Sequence, residues 1–141
     1  MMSGCRILLV DDHTDTLSVM SRLLKSVGHD VCVAETAALA MERLTTQTFD
    51  LLLIDLGLPD QDGRELLRRA RAVCAAPAIA LTGFGMDGDL ESCAAAGFVK
   101  HLVKPIAFDS LLAALQELRS MIPQGPGQGC GAAEARRVSI R

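Results

Sequence analysis

The chain has no tryptophan, no tyrosine and only four phenylalanines, although half of its 141 residues are apolar. Its core must therefore be built from Leu, Val, Ile and Ala, a composition that suits helices packed on a sheet. No apolar run approaches the roughly 20 residues needed to span a bilayer. Met1-Met2-Ser3-Gly4 leads straight into a short apolar segment and two Asp residues, without the apolar stretch of a signal peptide. Excess positive charge is missing too. The net charge is −3, which leaves no footprint for direct nucleic-acid or membrane-surface binding. The five cysteines (5, 32, 74, 93 and 130) are odd in number and form no CxxC pair. They read as reduced thiols of a cytoplasmic protein. The length fits one domain with a proper core, and no internal repeat is visible.

What is present is a regular alternation of strand and helix patterns. Arg6 to Val10 is a short strand stopped by Asp11-Asp12-His13. Leu17, Met20, Leu23, Leu24 and Val27 recur at helical spacing, and Gly28 closes that helix. Asp30 to Ala34 alternates polar and apolar, as a half-exposed edge strand does, and Thr36 is placed to cap a second helix carrying Ala37, Met41 and Leu44. Leu51 to Ile54 is a strand buried on both faces, ending at Asp55. Gly57, Pro59 and Gly63 then force a loop. Asp60 or Asp62 caps a third helix, with Leu66, Leu67, Ala70 and Val73 inward and Arg64, Arg68, Arg69 and Arg71 on its wet side.

Ala78 to Leu81 is a fourth strand ending at Thr82, followed by a glycine-rich loop and an Ala-rich helix from about Asp89 to Ala96. Val99 to Val103 is the fifth strand, closed by Lys104-Pro105. Asp109 caps a last helix with Leu111, Leu112, Leu115, Leu118 and Ile122. From Pro123 the pattern gives way to Gly, Pro and Gln and then to a basic end. This predicts a folded domain over 1–122 and a disordered tail over 123–141. Five strands alternating with five helices predict an α/β, doubly wound parallel sheet, with right-handed crossovers placing helices on both faces.

The residues that close the strands form a set: Asp11-Asp12 after the first, Asp55 after the third, Thr82 after the fourth and Lys104 after the fifth. In an open parallel sheet all of these lie on one rim, where ligands bind. Three crowded carboxylates repel one another unless a cation sits among them. An all-oxygen donor set favours Mg²⁺ or Mn²⁺. Phosphoryl transfer needs a nucleophile, a divalent ion and donors for the phosphoryl oxygens. Asp55 can be the nucleophile, forming an acyl phosphate, while Lys104 and Thr82 supply a point charge and a hydroxyl. His13 could reach the acidic pair but is read as capping or solvating the first helix.

Asp11-Asp12, Asp55 with Leu58-Pro59 and Asp62-Gly63 after it, Thr82-Gly83 and Lys104-Pro105 together resemble the receiver domain of two-component response regulators. The resemblance covers roughly residues 5 to 122. It implies a flavodoxin-like five-stranded sheet in the order 2-1-3-4-5. It further implies that Asp55 accepts a phosphoryl group from a phosphohistidine on a sensor histidine kinase or phosphotransfer domain. Asp11, Asp12, Asp55 and the Gly57 backbone carbonyl would hold Mg²⁺ (or Mn²⁺). Thr82 and Lys104 would grip the phosphoryl oxygens, with Thr82 moving inward on phosphorylation. The output surface, towards a downstream protein or a weak homodimer, would be the fourth helix, fifth strand and fifth helix. The Lys104-Pro105 peptide is often cis in the family.

Two departures from the family pattern stand out. The aromatic switch residue usual three positions before the Lys is His101 here, which is either the switch residue or simply a half-exposed strand residue. No output domain follows Ile122, so the chain is either a stand-alone receiver or part of a hybrid histidine kinase. Gly97 to Pro105 is similar to hybrid kinases, whereas Met1 and the irregular tail favour the stand-alone form. Such a protein is a signalling switch, not an enzyme beyond self-phosphorylation from a donor and autodephosphorylation; within a hybrid it would belong to a histidine kinase. A small Mg²⁺-dependent phosphohydrolase is the alternative, but Asp55-Leu56-Gly57 lacks a second acid and no cap-sized insertion exists. A flavodoxin-like cofactor binder fits less well, because the acidic first loop would repel a phosphate. A receiver-like scaffold that only binds partners and is never phosphorylated is a further alternative, and with all the site residues present it needs positive evidence.

Overall fold

A computed structural model describes residues 4–83 and 94–119. The predicted glycine-rich loop beyond Gly83, the first part of the helix after it, Cys93, Ile122, Cys130 and the predicted tail lie outside these residues. The elements alternate as β1 (Arg6–Val10), α1 (Thr14–Ser26), β2 (Asp30–Ala34), α2 (Ala37–Thr46), β3 (Leu51–Asp55), α3 (Gly63–Ala70) and β4 (Ala78–Thr82). Residues 94–96 are helical (α4), and β5 (Lys100–Val103) and α5 (Phe108–Arg119) follow. The five strands form one parallel sheet in the order β2-β1-β3-β4-β5. This is the order that the resemblance implied.

Alternation along the strands separates two cores. Leu8, Val10, Leu52, Ile54, Ala78 and Ala80 face α2 and α3, where Leu44, Leu66 and Leu67 meet them. Ile7, Leu9, Leu51, Leu53, Ile79 and Leu81 face α1 and α5, where Leu17, Met20, Leu24, Leu111, Leu115 and Leu118 close the other side. Both central strands β3 and β4 are therefore buried at every position, while β2 is the half-exposed edge that its alternating sequence predicts. Gly28 ends α1 with φ +101°, a left-handed conformation that glycine adopts without penalty. Among the described residues no helix is long and apolar enough to cross a membrane.

Three local expectations are corrected. α5 starts at Phe108, and Asp109 lies in its first turn rather than before it. Phe108 packs against the α1–α5 core and is drawn into the helix, and the Asp109 carboxylate still faces the positive end of the helix dipole. β5 starts at Lys100, one residue later than predicted. Cys5 and Cys32 are free, as expected, but Cys74 at the buried end of the α3 turn is disulfide-bonded. Spacing along the chain excludes a CxxC site but not a bridge formed across the fold.

Candidate functional site

The parallel register brings the strand ends to one level. Val10 pairs with Ile54, Asp55 with Leu81 and Thr82 with Val103. The ladder continues past the strands, since Asp11 donates its N–H to the Ala34 carbonyl and Lys104 its N–H to that of Thr82. Asp11, Asp55, Thr82 and Lys104 thus emerge together at the carboxyl rim. The Lys104–Pro105 peptide is cis.

The loop after β3 is tightly closed. Gly63 donates its N–H to the Leu56 carbonyl, and Gly57 bridges to Asp62. A Cβ on Gly63 would lie 2.5 Å from the Asp55 carbonyl oxygen, so only glycine lets α3 start this close to β3. Asp62 caps α3, accepting from the Arg64 N–H at 2.7 Å. Asp60 does not cap α3. Its two oxygens accept from the Ala37 and Ala38 N–H groups at 2.9 and 3.1 Å, tying the loop to the start of α2.

Asp55 lies at the centre, 5% exposed. Its Oδ1 accepts from the Gly57 N–H at 3.0 Å and its Oδ2 from Lys104 Nζ at 3.1 Å. The same ammonium lies 2.6 Å from Oδ2 of the fully buried Asp11. Asp12 is partly exposed, yet its Oδ1 is buried without a hydrogen bond; its nearest recorded polar neighbour is His13 Nδ1 at 3.3 Å. Electrostatics follow from this crowding. Burial pushes the Asp55 carboxyl above its ordinary range, with the Asp11 charge adding to it, against the hydrogen bonds from Gly57 and Lys104. Burial acts the same way on Asp11, but Lys104 and His13 outweigh it and hold that carboxyl low. For Lys104, burial disfavours the charge, and the two carboxylates more than restore it, raising its pKa.

His13 corrects an expectation. It occupies the N-cap position of α1, but its side chain makes no capping hydrogen bond. The ring turns back instead, placing Nδ1 2.9 Å from Asp11 Oδ1 and 3.8 Å from Asp55 Oδ2. Asp11, Asp12, His13 and Asp55 each present a ligand atom within 4.8 Å of the others. The three carboxylates of this set, two of them buried, fit a divalent ion such as Mg²⁺. Thr82 is buried, and its hydroxyl donates to the Leu102 carbonyl at 3.4 Å. His101 is exposed on β5, in register with Ala80. A groove of about 660 Å³ bordered by Asp12, His13, Thr16, Lys104 and Pro105 opens this rim to solvent. The contacts of Asp60 had no signature in local spacing, because its partners come from another element, whereas His13 turns onto its own sequence neighbours Asp11 and Asp12 as well as onto Asp55 and Lys104.

Comparison with known proteins gives a consistent result. The family profile of the response regulator receiver domain matches residues 7–116. The virulence sensor protein BvgS of Bordetella pertussis is 34% identical over 131 residues, covering 86% of this chain but only 11% of BvgS. The crystal structure of a CheY-like response regulator receiver domain protein from Methanospirillum hungatei superposes with a TM-score of 0.75 at 32% identity, covering 82% of this chain and 93% of that one. The receiver domain of the sensor histidine kinase PA1611 from Pseudomonas aeruginosa, solved with a magnesium ion coordinated in the active site cleft, gives 0.73 at 31% identity, covering 84% and 99%.

Proposed function

The chain belongs to the response regulator receiver domain family, and on that footing we propose that it is a phosphoacceptor switch in two-component signalling, charged at Asp55. The observation that carries this reading is the position of Asp55. It is buried at the end of β3, between the Lys104 ammonium and the Gly57 N–H, beside Asp11 and Asp12. A carboxylate oxygen of Asp55 attacks the phosphorus of a phosphohistidine on a sensor kinase or histidine phosphotransfer domain. The O–P bond forms as the P–N bond breaks, and the electron pair leaves with the imidazole. Lys104, freed from Asp55, follows the charge onto a phosphoryl oxygen. The Thr82 hydroxyl leaves the Leu102 carbonyl for another.

Asp11, Asp12, Asp55 and the Gly57 carbonyl would hold Mg²⁺, which would supply charge neutralisation at the phosphoryl oxygens. The magnesium ion in the related PA1611 receiver domain supports the same ion here. Movement of Thr82, coupled to His101, biases a two-state surface made by α4, β5 and α5 towards a downstream protein. We assign residues 1–122 to the receiver and 123–141 to a tail, acting in the cytoplasm on its own or within a hybrid kinase.

Intact-mass measurement after incubation with Mg²⁺ and a small phosphodonor tests the reading. One added phosphoryl group, absent without Mg²⁺ and absent in Asp55→Asn, is expected. Intact donor with no adduct on the wild-type chain would point instead to a non-phosphorylated scaffold.

A further inference from the structure

His13 is the one nitrogen ligand in an otherwise all-oxygen cluster. Its ring is 63% exposed and caps nothing, and its orientation is set by the contact of Nδ1 with Asp11 Oδ1, which turns it back over the carboxylates. The recorded polar neighbours of Nδ1 are Asp11 Oδ1 at 2.9 Å, Asp12 Oδ1 at 3.3 Å, Asp55 Oδ2 at 3.8 Å and Lys104 Nζ at 3.3 Å. Three of these are carboxylate oxygens, and the fourth is a cation that also touches Asp11 and Asp55. The Lys104 ammonium already offsets part of the charge of Asp11 and Asp55.

Distances support direct ligation. Ligand atoms about 2.1 Å from a shared octahedral ion lie about 3 Å apart when adjacent and about 4.2 Å apart when opposite. The three separations from His13 Nδ1 to carboxylate oxygens run from 2.9 to 3.8 Å, close to this span. Resting on the receiver reading, we infer that His13 supplies an imidazole nitrogen to the divalent site, so that this chain selects Mn²⁺ and later first-row ions over Mg²⁺. Mg²⁺ is a hard ion that takes oxygen and keeps its waters, whereas a neutral imidazole favours the transition ions.

Mn²⁺ is the probe, because it is read by electron paramagnetic resonance and has little affinity for the thiols of this chain. On the full-length protein, pulsed spectra of bound Mn²⁺ should show ¹⁴N coupling from a directly bound imidazole. In His13→Ala the coupling should vanish. The preference for Mn²⁺ over Mg²⁺, measured by competition, should fall by about tenfold, the lower end of what ligand-shell changes cost. Mg²⁺ affinity should change less than Mn²⁺ affinity in this variant, since the three carboxylates are untouched.

Mn²⁺ bound without ¹⁴N coupling, coupling that survives in His13→Ala, or an unchanged Mn²⁺/Mg²⁺ ratio would each overturn the inference and leave the receiver reading standing. If neither ion binds, or if binding is indifferent to both Asp11→Asn and Asp55→Asn, the inference and the metal-dependent receiver reading fall together.

Discussion

At the scale of single residues, the site is a balance between two buried carboxylates and one ammonium. Lys104 Nζ lies 2.6 Å from Asp11 and 3.1 Å from Asp55, so it is the main charge that offsets both. Removing it leaves two carboxylates buried and uncompensated, and breaking a buried pair this way costs about 3 kcal/mol or more. Lys104→Ala should therefore melt well below wild type at pH 7 without divalent ions. The sign of its pH dependence follows from the shifts. Lys104 is raised, so its contribution is complete below the ordinary 10.5 and fades as pH rises through its folded value. Asp11 is lowered, so its contribution is present above the ordinary 3.8 and is lost as pH falls through its folded value. The melting gap between wild type and Lys104→Ala should thus be widest near neutrality and narrow in acid. A gap independent of pH would contradict this charge balance.

Asp55 titrates in the opposite sense. Its carboxyl is raised, so its charge destabilises the metal-free fold above that value, and protonation relieves the strain as pH falls. Asp55→Asn, which removes the charge but keeps the shape, should raise the metal-free melting temperature by a few degrees, about 1 kcal/mol. Thermal melts in chelator check the direction. Asp11, Asp12, Asp55, Thr82 and Lys104 were legible in the sequence because each closes a strand, and parallel register carries strand ends to one rim. His13 was adjacent to that signal and still misjudged, because adjacency does not say whether a ring turns outward to cap a helix or back over the carboxylates.

Between elements, the loop that carries Gly57 is held from both sides. Asp62 caps α3 locally, and Asp60 reaches the first N–H groups of α2, where Thr36 already accepts from the Leu39 N–H. The start of α2 therefore has three of its free donors satisfied, two of them by a residue of the loop between β3 and α3. Asp60→Ala should cost about 1 kcal/mol, as the loss of a capping side chain does, and Asp60→Asn less. The hydrogen bond from Ala37, first among several contacts, holds the Asp60 carboxyl low. Its contribution is thus present above the ordinary 3.8 and disappears as pH falls below it. Chemical denaturation of both variants at pH 7 and in acid reads this out, and an equal loss at both pH values would refute the assignment. Strand and helix positions were largely readable from periodicity, whereas Asp60 looked like a cap for the nearer helix. Sequence favours the nearest helix start, but the fold placed another within reach 23 residues back. The one-residue shift at the start of α5 has a related cause, because tertiary packing of Phe108 outweighs a local capping signal.

For the molecule as a whole, the sheet is sealed by apolar cores on both faces, and the buried polar side chains at its carboxyl strand ends gather at one rim. Asp11, Asp55 and Thr82 are buried polar groups at the ends of strands whose buried positions are otherwise apolar. A fold that concentrates negative charge in this way should be stabilised by whatever neutralises it in the native state alone. At tenfold excess over its dissociation constant, a single ion adds about 1.4 kcal/mol, RT ln 11. For a domain of this size that is about 3 to 6 °C in melting temperature. Mg²⁺ should therefore raise the melting temperature in a saturable manner, and chelator should reverse it. Asp11→Asn should largely abolish the effect, since it removes the most deeply buried carboxylate of the cluster. The control is a monovalent salt at matched ionic strength, which screens exposed charges but reaches a buried pair far less. Equal stabilisation by both salts would mean that the rim acts as a diffuse negative surface, and the case for a bound ion at Asp11, Asp12 and Asp55 would be lost.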